Sequence, residues 1–146
     1  MKIKLAKSEV IHFVGIGGIG MSGLALVMSR MGFEVQGSDI SINKNIERLK
    51  NNKIKIFIGH EKINISRATI IVISSAVKKN NIEVISAKAR SLPVYKRGDM
   101  LGHITSLTKN IVVVGSHGKT TTTSLVASIL SSSNLDPTII NGGVLK

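Results

Sequence analysis

The chain has 146 residues, 42% of them apolar and 19% charged, and no cysteine, a globular composition that excludes disulfides and thiolate metal sites. No apolar run approaches the roughly 20 residues that cross a bilayer, and the basic start MKIKLAKSEVIHFVG lacks a signal-peptide cleavage site, so a cytoplasmic protein without membrane association is expected. The formal charge of +12 favours anionic partners, but scattered Lys and Arg with three Phe, one Tyr and no Trp argue against nucleic acid.

Apolar runs alternate with helix-period segments, the pattern of a parallel sheet with crossover helices. Residues 10–15 (VIHFVG) predict a buried strand, and Met21, Leu24, Ala25, Met28 and Met31 mark one face of a helix that stops at Gly32. A second strand follows over 34–39, a helix over 43–52 and a short strand around 55–58. The β-branched run 68–76 predicts the next strand, 81–90 a helix, 92–96 a fifth strand and 98–107 a short helix. Residues 110–116 (NIVVVGS) predict another buried strand, followed by a helix with Leu125, Val126, Ile129 and Leu130 on one face. Residues 136–142 begin one more strand.

Five strands before residue 107 suffice for a small Rossmann-like sheet with helices on both faces. The strand–loop–helix–strand unit after it would have no neighbouring strands. The expected organisation is therefore a nucleotide-binding domain over 1–107 and the opening of a second α/β domain over 108–146. An orphaned strand edge in that second unit could associate with another copy of the chain.

Two segments read as phosphate cradles. Gly15-x-Gly17-x-x-Gly20 lies between a strand and a helix, where the glycines permit a tight turn, close approach of backbone to phosphate and close helix–strand packing. Free N–H groups at the helix start would face the anion. Asp39 ends the second strand, nineteen residues after Gly20, where an acidic side chain can hold ribose hydroxyls. The pattern suits NAD, yet any nucleotide diphosphate meets the same electrostatics.

The second cradle, Gly115-Ser116-His117-Gly118-Lys119-Thr120, has the Gly-Lys-Thr core of a nucleoside-triphosphate loop. Lys119 would reach the β- and γ-phosphates and the Thr120 hydroxyl would bind Mg²⁺. Val113 stands where the common loop has its first glycine, so the glycine spacing here is two residues shorter. His117 is expected to shape the loop, His12 to sit in the strand at the edge of the core, and His103 to lie at the surface. Further hydroxyls over 121–123 suit the start of a helix.

Together the two cradles resemble the Mur ligases of bacterial cell-wall synthesis. The shared motifs run in order across nearly the whole chain: 11–25 (IHFVGIGGIGMSGLA), 37–39 (GSD), 71–77 (IVISSAV), 93–101 (PVYKRGDML), 113–123 (VVGSHGKTTTT) and 136–146 (DPTIINGGVLK). Within the family, GIGGIGMSG is most similar to the branch that adds L-alanine. The resemblance implies that the first cradle holds the diphosphate of UDP-N-acetylmuramic acid. Gly17, Gly18, Ile19, Gly20, Met21 and Ser22 would fall on the loop and Asp39 on the ribose side, with Ser74, Ser75 and Ala76 beside the uridine and sugar. His60 matches a family position near the nucleotide.

The same resemblance makes 115–121, Gly115 to Thr121, the ATP loop, with Lys119 on the phosphates and Thr120 on Mg²⁺. Ser116 stands where the family more often has threonine, which keeps the hydroxyl. The implied activity is an ATP-dependent ligase that activates a carboxylate as an acyl phosphate and joins it to L-alanine. The family's acidic metal ligand and amino-acid-binding domain fall after residue 146, so these residues alone are expected not to form the amide. Two other readings remain at this point: an NAD-binding module of an oxidoreductase, which leaves Gly118-Lys119-Thr120 unused, and a module that binds a UDP-sugar without catalysis.

Overall fold

A computed structural model of the chain describes residues 5–141. Five parallel strands form one sheet in the order β3-β2-β1-β4-β5. They are β1 (Val10–Val14), β2 (Glu34–Asp39), β3 (Lys55–Ile58), β4 (Ile70–Ile73) and β5 (Val94–Lys96). The helices between them are α1 (Ile19–Arg30), α2 (Lys44–Asn51), α3 (Ile82–Ala89) and α4 (Arg97–Ser106), with a 3-10 turn at Lys62–Ile65. A last helix, α5, spans Lys119–Ser132. Each predicted element up to residue 107 is present, with ends trimmed by a few residues.

The period-2 alternation of the strands assigns their side chains to two layers. Ile11, Phe13 and Val35 pack with α1, with Ile46 and Leu49 of α2, and with Met100 and Ile104 of α4. Val14 and Ile71 pack on the other face against Ala87 of α3 and Ile65 of the 3-10 turn. Residues 21–28 of α1 are all buried, which explains why the helix is apolar nearly all round. It ends where Gly32 takes φ +86° and Phe33 N–H donates to Met28 O at 3.1 Å, an exit that favours glycine.

Asparagines start α2 and α3. Asn43 accepts from Ile46 N–H at 2.9 Å, and Asn81 accepts from Glu83 N–H at 2.9 Å and Val84 N–H at 3.3 Å. Asn81→Ala is expected to cost about 1 kcal/mol of stability by removing both acceptors. A urea melt checks this; an unchanged midpoint would mean that the α3 N-terminus draws nothing from its cap.

The region after residue 107 departs from the sequence expectation. Residues 110–116 are not a buried strand: they pair with no neighbour, and Ile111, Val112 and Val114 are 65%, 72% and 84% exposed. Apolar composition makes a strand only when another strand supplies hydrogen-bond partners, and none lies beside this one. The expected strand over 136–142 is likewise absent as far as 141, with a single bridge residue at Asn141. The end of that strand and the last part of the 136–146 motif lie outside the described residues. Helix α5 forms as expected, but Leu125 and Ile129 remain exposed and only Ala127 is buried.

Candidate functional site

A cleft of about 510 Å³ opens at the C-terminal ends of β1, β2 and β4. Sheet order reverses here: β1 is flanked by β2 on one side and β4 on the other, and crossovers leave in opposite directions. Parallel α/β sheets bind ligands at such a switch point. Gly15, Gly17 and Gly18 form one wall, Asp39 and His60 a second, and Ser74 and Ala76 a third.

The glycine turn is tied to β2. Gly15 N–H and Ile16 N–H both donate to Ser38 O, at 2.8 and 3.0 Å, and Gly15 adopts φ +78°. A side chain on Gly17 would collide with Asp39 and Asn43, each 2.9 Å from the Cβ position. Asp39 Oδ2 accepts from Gly17 N–H at 2.8 Å, while Asn43 and Asn45 donate to Gly17 O at 3.2 and 2.8 Å. The Gly17 peptide is therefore held on both sides, and its N–H is already spent on Asp39. Ile19 and Gly20, as the first two residues of α1, keep amides that have no intrahelical acceptor. Those amides and the helix dipole attract an anion.

Arg97 lies over the same helix start. Its Nη1 is 3.0 Å from where a Cβ on Gly20 would stand, so Gly20 leaves room for the guanidinium. A cation at the positive end of a helix is unfavourable alone and favourable once an anion lies between them. Sequence reasoning gave Arg97 no role, although it falls within the 93–101 motif. Met21 and Ser22 are buried within α1, and Ser22 Oγ donates to Ile19 O at 3.0 Å. Ile19 is 55% exposed; neither it nor Ser75 lines the cleft.

Behind the cleft lies a buried carboxylate that sequence reasoning missed. Glu83 of α3 is fully buried. Its Oε2 accepts from Ser38 Oγ at 2.6 Å and His60 Nδ1 at 3.0 Å, and its Oε1 from Asn64 Nδ2 at 2.6 Å. His12 Nε2, also fully buried, stands 3.6 Å from Oε2, too far for a full hydrogen bond, and has no other partner. Burial alone would raise the Glu83 pKa, but the neighbouring His12 ring and the hydrogen bonds from Ser38 and Asn64 outweigh it and bring the pKa from the ordinary 4.5 down to about 2. His12 thus belongs to a polar cluster on the α3 face, with Gln36 Nε2 at 3.1 Å from its Nδ1. His103 is half-buried on α4.

At the second cradle a glycine turn opens α5. Gly118 precedes α5 at φ +73°, and Lys119 Nζ folds back to donate to Gly115 O and, at 3.1 Å, to Ser116 O. Thr122 N–H donates to Gly118 O at 2.9 Å, which leaves the amides of Lys119, Thr120 and Thr121 without helical acceptors. Gly115, Ser116, His117, Gly118, Lys119, Thr120 and Thr121 are all exposed. Among the described residues no group of three His, Cys, Asp or Glu could hold a metal ion. A divalent cation here would draw on the Thr120 hydroxyl and on phosphate oxygens, which suits Mg²⁺. No described helix is long and apolar enough to cross a membrane.

The pattern of the "Mur ligase family, catalytic domain" matches residues 10–109, more than half of the chain. The chain belongs to the Mur ligase family. This Mur ligase chain is 74% identical, over all its 146 residues, to a UDP-N-acetylmuramate–L-alanine ligase of Pelagibacter ubique, of which it covers 32%. Among solved structures it resembles the UDP-N-acetylmuramate–alanine ligase of Thermotoga maritima, with a TM-score of 0.82 and 35% identity, over 92% of this chain and 32% of that one. It is also similar to a UDP-N-acetylmuramate:L-alanyl-γ-D-glutamyl-meso-diaminopimelate ligase of Neisseria meningitidis, with a TM-score of 0.82, 31% identity and coverage of 93% and 43%. The chain spans about a third of the length of the curated relatives it matches. The family match covers the first glycine loop; the second, at 115–121, lies beyond it but within the 146 residues that share 74% identity.

Proposed function

We propose that the cleft binds UDP-N-acetylmuramic acid and that the whole protein joins it to L-alanine at the expense of ATP, for peptidoglycan precursor synthesis in the cytoplasm. The observation that carries this reading is the pair of loops, one of each kind, on a chain 74% identical throughout to a ligase of that name. Residues 1–107 form the sugar-nucleotide unit and 108–146 belong to the ATP unit. The amides of Ile19 and Gly20, with Arg97 above them, suit the diphosphate, and Asp39 suits the ribose. Gly15, Gly17 and Gly18 shape the turn, and Met21 and Ser22 support it from within α1. Ser74 and Ala76, which line the cleft, border the uridine and sugar, with His60 opposite; Ser75, which the family resemblance also placed there, does not line it.

Gly115 to Thr121 would hold ATP. Lys119, released from its loop carbonyls, would neutralise charge on the phosphates, and the Thr120 hydroxyl would help hold Mg²⁺, which when bound would supply further charge neutralisation. A muramate carboxylate oxygen attacks the γ-phosphorus and ADP leaves, forming an acyl phosphate. The L-alanine amine attacks the acyl carbon and loses a proton, and inorganic phosphate leaves with the former carboxylate oxygen. A carboxylate is a poor electrophile, and phosphorylation turns its oxygen into a leaving group.

Calorimetric titration with UDP-N-acetylmuramic acid and then with NAD tests the sugar-nucleotide assignment. Binding of the UDP-sugar and not of NAD is expected. Asp39→Ala should weaken it at least about tenfold, since it removes both a ligand acceptor and the group that holds Gly17. Preference for NAD would overturn the proposal.

A further inference from the structure

The cleft wall and the carboxylate behind it are one hydrogen-bonded unit. His60 Nδ1 faces Glu83 Oε2 at 3.0 Å and Ser38 Oγ at 3.1 Å. An ionised carboxylate only accepts, so the Nδ1 that faces it carries the proton. The His60 side chain is 19% exposed and lines the cleft. Its Nε2 has no partner among the described residues, yet His12 Nε2 is the sole buried side-chain atom there without one. His60 Nε2 is therefore open to solvent on the cleft side.

Packing alone does not call for Glu83. Its neighbours on α3, Val84 and Ala87, are buried apolar residues, and an apolar side chain could fill the same space. Buried charges are commonly no more stabilising than well-packed hydrophobic replacements. What the carboxylate does that an apolar group could not is collect Ser38, His60 and Asn64 on one point. Ser38 also presents, through its carbonyl, the anchor for the glycine turn. His12 supports the same point from below: Gln36 Nε2 donates to its Nδ1, so its own proton sits on Nε2, towards Glu83.

We infer that Glu83 is a positioning residue of the cleft, fixing His60 with Nδ1–H inward and Nε2 presented to the nucleoside end of a bound sugar nucleotide. The identity of that ligand rests on the function proposed above; the orientation of His60 does not. The nucleoside end is indicated by position. Gly59, immediately before His60, donates its N–H to Asp39 O at 2.8 Å, and His60 and Asp39 line the cleft together, which places the imidazole beside the acid assigned to the ribose.

The test uses the 146-residue chain, ¹⁵N-labelled, with UDP as the probe. Long-range ¹H–¹⁵N spectra are expected to show His60 with hydrogen on Nδ1, and its Nε2 resonance should move as UDP is added. A glutamine at this position keeps an amide near Nε2, whereas asparagine keeps one only near Nδ1. His60→Gln should therefore bind UDP within about threefold of wild type, and His60→Asn about tenfold more weakly. Glu83→Gln should release the tautomer preference and weaken UDP about tenfold. If that variant does not fold, the wild-type tautomer and the His60 pair still decide. A bare Nδ1 with hydrogen on Nε2, or equal affinity of the Gln and Asn variants, overturns the inference. Failure of wild type to bind UDP overturns the sugar-nucleotide reading instead, and the tautomer then decides the role of Glu83.

Discussion

Acidification is expected to remove about 3 kcal/mol of folding stability through Glu83, between its unfolded value near pH 4.5 and its folded value of about 2. The folded state keeps this carboxylate ionised against the donors of Ser38, His60 and Asn64, with the His12 ring 3.6 Å away, whereas the unfolded chain would protonate it. A folded pKa below the unfolded one means that the contribution is complete above pH 4.5 and disappears as pH falls towards 2. Glu83→Gln should therefore cost about 3 kcal/mol at neutral pH and nothing additional in acid. Urea melts of both chains across this range give the comparison. Parallel curves, with a constant gap down to pH 2, would mean that Glu83 is not held ionised by the fold.

The sequence made the sheet legible because its strands carry both signals at once, β-branched apolar runs and turn residues at their ends. That is why each element before residue 107 lies where the pattern placed it. The same signal misled over 110–116, where Ile111, Val112, Val113 and Val114 read as a buried strand. A buried strand is a statement about neighbours, and the described chain places none beside it. Local patterning cannot supply that information.

The candidate site divides in a similar way. Glycines and the acid at the end of β2 stand out because their roles are set by backbone geometry a few residues away. Gly15, Gly17 and Asp39 do meet, as their spacing implied. Glu83 was invisible because a glutamate in the first turn of a helix ordinarily reads as a solvated charge favoured by the dipole. Only the fold brings it under β2, with partners 45 residues earlier at Ser38 and 23 earlier at His60. Arg97 was hidden for the same reason, its neighbour Gly20 being on a distant helix. One available signal was the run of polar residues at alternate positions, His12 in β1 and Gln36 and Ser38 in β2, facing one side of an otherwise apolar sheet.

Gly37→Ala is expected to be at least as damaging, at about 3 kcal/mol, for a steric reason. Gly37 pairs with Phe13 in the β1–β2 register, and a Cβ there would stand 2.6 Å from Phe13 O and 2.5 Å from Ile16 Cδ1. The first contact is with backbone, which cannot rotate away. The second is with a fully buried side chain that crosses under the glycine turn. Relief requires either parting β2 from β1 or expelling Ile16, and Ile16 N–H is itself bonded to Ser38 O at 3.0 Å. The loss should therefore appear both as a lower urea midpoint and as weaker UDP-sugar binding in whatever fraction stays folded. Gly102→Ala is the matched control, because nothing lies within 4 Å of its Cβ position in α4. There the change should be neutral or stabilising by up to about 1 kcal/mol, as glycine is a poor helix former. If Gly37→Ala and Gly102→Ala melted alike, the close approach of Ile16 beneath β2 would not be what sets the turn, and the glycine in the GSD motif would need another explanation.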